Sequence, residues 1–301
     1  MSAHIDPNSF HHKFVTTRGY KYHYVEEGDP KGEPLLLVHG FPDIWYGWRH
    51  QIGFLAKLGY RVLVVDTLGY GQTEAPQELQ VYGLKSICDQ LVGFLDALNI
   101  PKITLIGHDW GGAIVWRFGL YHPNRVHGII SICTPYNPPS PAFRSLEEIV
   151  KAIPEFEYQL SLANPETLAK MDHAVDAILG NVLAMENLND QDLEYIVSQF
   201  KHSTFRGPLN YYKTTRINFD DERSVVDQKN INLPAWIILA ENDMFLRPHM
   251  AAKMKDFIPQ LKTTSITASH FVMVEKPDET NKALQSCLED LKQRRSTKAL
   301  L

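Results

Sequence analysis

Cysteine is scarce in this 301-residue sequence. Cys88, Cys133 and Cys287 are an odd number, far apart, and set in or beside apolar stretches. That argues against a disulfide framework or a zinc site and leaves three small buried apolar groups as the expectation. Long hydrophobic runs are also missing: none approaches the roughly eighteen apolar residues a bilayer span requires. Met1 to Phe10 has no basic segment leading into an apolar run, so no secretory leader is expected and the cytoplasm is the default location. The ending Ser296-Thr297-Lys298-Ala299-Leu300-Leu301 is not a Ser-Lys-Leu peroxisomal signal. Positive charge is not in excess either. Thirty basic against 35 acidic side chains give a net charge of −5, which provides no global field for a phosphate backbone and makes nucleic acid an unexpected partner. Repeats and low-complexity tracts are absent. The composition, 44% hydrophobic and 22% charged with 18 Gly and 18 Pro, is that of a folded globular chain.

Lys13 to Thr17 and Tyr20 to Val25 alternate around Arg18-Gly19, the pattern of a hairpin at a sheet edge. Short continuous apolar runs follow at Leu35 to Val38, Val62 to Val65, Ile103 to Ile106, Ile129 to Cys133 and Trp236 to Leu239. Such runs suit strands buried on both faces. Helical patterns lie between them, at Trp48 to Leu58, Leu84 to Leu98 and Ala113 to Tyr121. The alternation predicts an α/β fold with a mostly parallel sheet covered on both sides. From about Pro138 to Val226 strand runs stop and helical stretches take over. The expected organisation is a core of residues 1–137 and 228–301 carrying a helical lid, 138–227, on the carboxyl edge of the sheet, where ligands bind in such folds. A frayed polar end is expected after Lys292.

The most specific local signal is Gly107-His108-Asp109-Trp110-Gly111-Gly112, between the run Ile103 to Ile106 and the helical pattern from Ala113. It has the form of a nucleophile elbow, in which a strained residue between flanking glycines stands above the sheet. The central residue here is Asp109. A carboxylate attacking a saturated carbon becomes an alkyl ester, so the substrate would be an epoxide or a halide, and water must then hydrolyse that ester. The second step needs a base and oxyanion donors. Among thirteen histidines, His270 has the right address, after the strand-like Thr263 to Thr267. His11 and His12 lie in a polar N-terminal stretch, His122 ends a helix, His202 and His249 have polar surroundings, and no pair has metal-ligand spacing. Asp243, just after the strand Trp236 to Leu239, would orient His270, with Glu241 as its rival; the chain order nucleophile, acid, histidine suits this fold. His39-Gly40-Phe41-Pro42 follows the strand Leu35 to Val38, so the backbone amides of Phe41 and Trp110 are the expected oxyanion donors, His39 would brace the loop, and a cis peptide before Pro42 would suit its tightness.

Across nearly its whole length the chain resembles an α/β-hydrolase-fold epoxide hydrolase of the soluble kind. The motifs that carry this are His39 to Pro42 with Trp45 to Arg49, Gly69-Tyr70-Gly71, Gly107 to Gly112, Phe205 to Tyr212, Ala240 to Asp243 and the segment at His270. The resemblance covers only the hydrolase part of the two-domain mammalian members, without their N-terminal phosphatase domain. It implies a cofactor-independent conversion of an epoxide and water to a vicinal diol, with no metal. It also implies two lid tyrosines that donate to the epoxide oxygen: Tyr158 and, in Arg206 to Tyr212, Tyr212. The family usually has Trp before the second tyrosine and this chain has Tyr211 there, so either phenol could point inward; Tyr212 is the favoured one. A phenol of unperturbed pKa about 10 stays protonated as a donor at neutral pH. Phe41, Trp110, Gln159 and Phe271 are the expected substrate contacts. Phe143, Leu146, Leu160 and Met185 are expected to set pocket volume. Beyond the small-molecule epoxide, a homodimer is left open.

A dehalogenase shares the aspartate, histidine and acid, but halide needs indole-type donors. All five tryptophans (45, 48, 110, 116, 236) lie outside the lid, and the oxyanion loop has Phe41 rather than Asn. A fluoroacetate-type enzyme would need cationic groups near Asp109. A serine esterase would need Gly-x-Ser-x-Gly, which is absent, and a non-catalytic ligand receptor would be expected to have lost one of Asp109, Asp243, His270 or the tyrosines.

Overall fold

The computed structural model describes residues 4–183 and 188–299. The order begins with β1 (His12–Thr17), β2 (Tyr20–Gly28), β3 (Pro34–Val38), α1 (Arg49–Lys57), β4 (Arg61–Val65), α2 (Leu84–Ala97), β5 (Ile103–His108), α3 (Trp110–Tyr121) and β6 (Val126–Ile132). Among the described residues seven α-helices follow before the next strand: α4 (Leu146–Ala152), α5 (Glu157–Ala163), α6 (Pro165–His173), α7 (Val175–Leu183), α8 (Asp190–Ser203), α9 (Arg206–Asn210) and α10 (Thr215–Glu222). Then come β7 (Ala235–Ala240), β8 (Leu261–Ile266), α11 (Val272–Glu275) and α12 (Pro277–Ala299).

The eight strands form one sheet in the order β1-β2-β4-β3-β5-β6-β7-β8. β1 pairs with β2, and β2 with β4, antiparallel; every other pairing is parallel. The hairpin closes with Thr17 opposite Tyr20, and Arg18 (φ 46°) and Gly19 (φ 88°) both take positive φ, the two-residue turn whose twist matches that of the strands. Leu35, Leu36, Leu37, Val38 and Val62 to Val65 are fully buried, which is why their sequences run apolar without alternation. Losing one such leucine to alanine would cost about 2–5 kcal/mol. All three cysteines are free and buried. No helix among the described residues is long and apolar enough to cross a membrane.

Two expectations need correction. Among the described residues the chain stays helical past Lys292: α12 runs on to Ala299, continuing a helix anchored by the buried stripe Leu284, Cys287, Leu288 and Leu291. Arg294 extends the packing by pairing with Asp290 (3.2 Å) and lying over the Trp236 ring (5.3 Å). His12 is not a mere member of a polar stretch. Its Nδ1 is 2.9 Å from His23 Nε2, and His23 Nδ1 is 2.7 Å from the buried Asp66, so the edge hairpin is tied to the end of β4.

Candidate active site

Parallel pairing brings the ends of β3, β5, β6, β7 and β8 to one edge, and the loops leaving them carry Phe41, Asp109, Cys133, Asp243 and His270. Asp109 sits between β5 and α3 at φ 51°, ψ −121°, a conformation costly for a residue with a Cβ. Close approach explains the glycine frame. A Cβ on Gly107 would lie 2.3 Å from the Gly111 carbonyl oxygen, and one on Gly40 would lie 2.2 Å from Asp109 Oδ1. Thr134 Oγ1 braces the turn by donating to the Asp109 carbonyl at 2.7 Å.

The side chains of Asp109, Asp243 and His270 converge. His270 Nδ1 is 2.7 Å from Asp243 Oδ2 and Nε2 is 3.6 Å from Asp109 Oδ2. Asp243 Oδ1 accepts from the amides of Phe245 (2.8 Å) and Leu246 (2.9 Å). Glu241 is turned away, toward the hydroxyls of Ser265 and Thr267 at the exposed surface. On the other side the Phe41 amide donates to Asp109 Oδ1 at 2.7 Å. Trp110 is the first residue of α3, where an amide has no intrahelical acceptor. The Phe41–Pro42 peptide is cis. Fully buried His39 braces this loop: its Nδ1 lies 2.9 Å from the Gly40 carbonyl oxygen, and its Nε2 accepts from the Thr67 amide at 3.1 Å.

Burial would push both carboxyls up and the imidazole down, yet mutual attraction wins. Hydrogen bonding to and the charge of His270 hold Asp109 below the usual carboxylate range and Asp243 down to about 2. The two carboxylates in turn raise His270 to about 10. These shifts favour an imidazolium between two carboxylates in the free site.

Tyr158 on α5 and Tyr212, just after α9, face Asp109 across a cavity of about 310 Å³ that the three share with His270. Their rings meet edge to face at 6.3 Å. Burial, then the charge of Asp109, raises both phenols further above their ordinary value, so they remain donors. Tyr211 points elsewhere, donating to the Leu68 carbonyl at 3.0 Å. Leu162, Met171, Ile178, Phe245 and Phe271 make the remaining wall largely apolar.

Some expected contacts fall outside this cavity. The Trp110 and Gln159 side chains line a neighbouring one of about 280 Å³, although Gln159 Nε2 is 3.4 Å from the Tyr158 hydroxyl and the Trp110 ring packs on Tyr212 at 5.2 Å. Leu146 also lines the second cavity. Phe143 packs on Phe219 instead, Leu160 is displaced from the wall by its α5 neighbours Tyr158, Ser161 and Leu162, and Met185 lies outside the described residues. Sequence reasoning missed Phe245, whose ring contacts both Tyr158 (5.2 Å) and His270 (5.4 Å); its position two residues beyond Asp243 was the available signal. His108, Cys133 and His270 bring ligand-type atoms within 4.8 Å of one another. Both His270 nitrogens already face carboxylates, and His108 Nε2 and Cys133 Sγ point at the His270 carbonyl, so this is a hydrogen-bonded cluster rather than a ligand set.

Comparison with known proteins bears on what this arrangement is for. Residues 33–277 match the alpha/beta hydrolase fold family. The chain is 36% identical over 310 residues to bifunctional epoxide hydrolase 2 of Rattus norvegicus, covering 92% of this chain and 55% of that protein. It therefore spans about half the length of the mammalian proteins it matches. With epoxide hydrolase srdG of Neurospora crassa it shares 31% identity over 330 residues, 94% of this chain and 96% of the other. Among solved structures, a Vigna radiata epoxide hydrolase mutant superposes with a TM-score of 0.86 at 28% identity, covering 94% and 99% of the two chains. Potato (Solanum tuberosum) epoxide hydrolase I gives 0.85 at 25%, covering 93% and 99%. The family match and the fungal relative of similar length mean that the chain belongs to the alpha/beta hydrolase fold family, among its epoxide hydrolases.

Proposed function

We propose that the protein converts an epoxide and water to a vicinal diol through an ester on Asp109, with the helices of residues 138–227 acting as a lid over the site. The observation that carries this reading is a carboxylate at the elbow and two tyrosines lining one mostly apolar cavity, with both phenols near enough to feel the charge of Asp109. Asp109 Oδ1 is already held by the Phe41 amide, which leaves Oδ2 to attack the ring carbon. The carbon–oxygen bond breaks, and the departing oxygen takes a proton from Tyr158 or Tyr212. Alkylation removes the charge of Asp109, one of the two that raise the His270 pKa, so the imidazolium gives up its proton, through solvent, to the tyrosinate. Neutral His270, oriented by Asp243, then takes a proton from water as its oxygen bonds to the ester carbon. Oδ1 becomes the oxyanion on the Phe41 and Trp110 amides. Collapse breaks the bond from the carboxyl carbon to Oδ2, the departing alkoxide takes the remaining proton of the added water, and the diol leaves with Asp109 again a carboxylate beside the imidazolium.

Phenols rather than indoles at the leaving-group position favour an epoxide over a halide. The experiment is to incubate His270→Gln with styrene oxide and weigh the intact protein. A stable adduct mapping to Asp109 is expected; a variant turning over at the parent rate with no adduct sinks the mechanism. Halide release from matched haloalkanes without diol from epoxides would select the dehalogenase reading instead.

A further inference from the structure

His270 is held at its backbone as well as at its ring. His108, the last residue of β5 and the neighbour of Asp109, lies with Nε2 2.8 Å from the His270 carbonyl oxygen. A carbonyl only accepts, so His108 Nε2 carries the proton. Its Nδ1, buried and without a hydrogen-bond partner among the described residues, is then a bare lone pair, and burial first of all lowers the imidazole pKa to about 4. The two imidazoles pack at 4.6 Å between centroids. A second donor reaches the same oxygen: Cys133 Sγ, at 3.4 Å. Cys133 holds that direction in a left-handed conformation, φ 65°, unusual for a residue with a Cβ, while its amide is fixed to Ile238 on β7 at 2.8 Å. Neither His108 nor Cys133 lines the cavity. Both hydrogen-bond to the catalytic histidine at its main chain; beyond that, the His108 ring packs on the His270 ring and the Cys133 thiol lies beside the Asp243 carboxylate.

We propose that His108 and Cys133 form a two-donor clamp on the His270 carbonyl that sets the reach of the imidazole toward Asp109 and so acts on hydrolysis of the ester rather than on its formation. The inference rests on the epoxide hydrolase reading above. Ring opening uses Asp109, aimed by the Phe41 amide, and two phenols; among the described residues no hydrogen bond runs from the side chains of these three to His108 or Cys133, although His108 precedes Asp109 in the chain. Hydrolysis depends on where Nε2 sits. With Nδ1 tied to Asp243, the backbone carbonyl is the other fixed point that determines the swing of the ring across its 3.6 Å gap to Asp109. Both are positioning residues.

The test is single-turnover quench of the full chain with styrene oxide, following ester by intact mass and diol by chromatography. His108→Leu removes the donor, whereas His108→Gln places an amide N–H near the original Nε2. For His108→Leu, ester formation within about twofold of the parent and hydrolysis slowed about tenfold or more are expected. In steady state kcat and KM then fall together while kcat/KM holds. His108→Gln should recover most of the loss. Cys133→Ala should show a smaller effect of the same kind, about two- to fivefold, with Cys133→Ser restoring it. This cysteine pair carries the comparison should His108→Leu fail to fold. Equal slowing of both steps, no slowing of hydrolysis, or no recovery by the conservative variants would overturn the clamp. Absence of any ester or diol with the parent protein would instead overturn the hydrolase reading and the clamp with it.

Discussion

At the scale of single residues, Tyr211 and Tyr212 show how neighbours come to meet different surroundings. They open the short 3-10 turn Tyr211–Lys213, where successive side chains diverge by about 120°. Tyr212 turns to Asp109 and Tyr211 to the Leu68 carbonyl. Tyr158→Phe or Tyr212→Phe should slow ring opening roughly 10- to 1000-fold each, and the double variant far more, because either donor can partly serve. Tyr211→Phe should leave ring opening within about twofold and cost about 1 kcal/mol of stability for the lost hydrogen bond. Stopped-flow measurement of ester formation beside urea unfolding separates the two; a slow Tyr211→Phe and a fast Tyr212→Phe would reverse the assignment. The sequence favoured Tyr212 but left Tyr211 open, since the choice rests on a turn geometry set by distant contacts. Asp109 was legible because an elbow is a local pattern, written in glycines a few residues apart. His108 and Cys133 were not, because their shared acceptor is a main-chain oxygen 162 and 137 positions away.

Among the elements, α8 has the most demanding attachment. Asp192 in its first turn is fully buried and meets Arg49 Nη2 at 3.1 Å, the Tyr46 hydroxyl at 2.8 Å and His4 Nδ1 at 2.7 Å. One turn on, the Tyr195 hydroxyl accepts from Trp45 Nε1 at 3.1 Å. The inserted helices are thus bolted to the segment that follows the oxyanion loop and to the N-terminal residues. Asp192→Ala strands the fully buried Arg49 cation and should destabilise the protein by about 3–5 kcal/mol, whereas Arg49→Met with Asp192→Leu should cost much less. Urea denaturation checks this, and equal losses in the single and double variants would refute the role of the uncompensated charge. Strands were readable to within a few residues because double burial makes them apolar runs. The helical insertion was readable as a stretch without such runs. Its attachment was not: Arg49 and Asp192 are 143 positions apart, and each alone looks like an ordinary surface charge.

Over the whole molecule, the sheet gathers charges whose balance ties stability to pH. His270 titrates at about 10 when folded against an ordinary 6.5, so its contribution is complete below about 6.5 and is lost as pH rises toward 10. Asp243, lowered to about 2 from 3.8, contributes above about 3.8 and loses that contribution as pH falls toward 2. The melting temperature should therefore decline between pH 7 and 10, and Asp243→Asn should flatten that decline. Calorimetry across the range decides it, and identical slopes for parent and variant would argue against a folded-state imidazolium. The α/β architecture and the gathering of chain-distant residues at one edge were foreseeable from strand-helix alternation, since parallel strands must all end on the same side.

The placement of Asp109 has a consequence for atoms rather than for rates. His270 and the Phe41 amide are both aimed at its carboxylate, so the proposed hydrolysis would bring water to the carboxyl carbon and not to the substrate. In the proposed reaction the oxygen that the diol acquires would therefore be one that Asp109 brought to it, and the incoming water oxygen would stay behind in the carboxylate. On the proposed mechanism every turnover would renew part of the polypeptide from solvent, making the protein a reactant that is rebuilt as well as a surface on which others react.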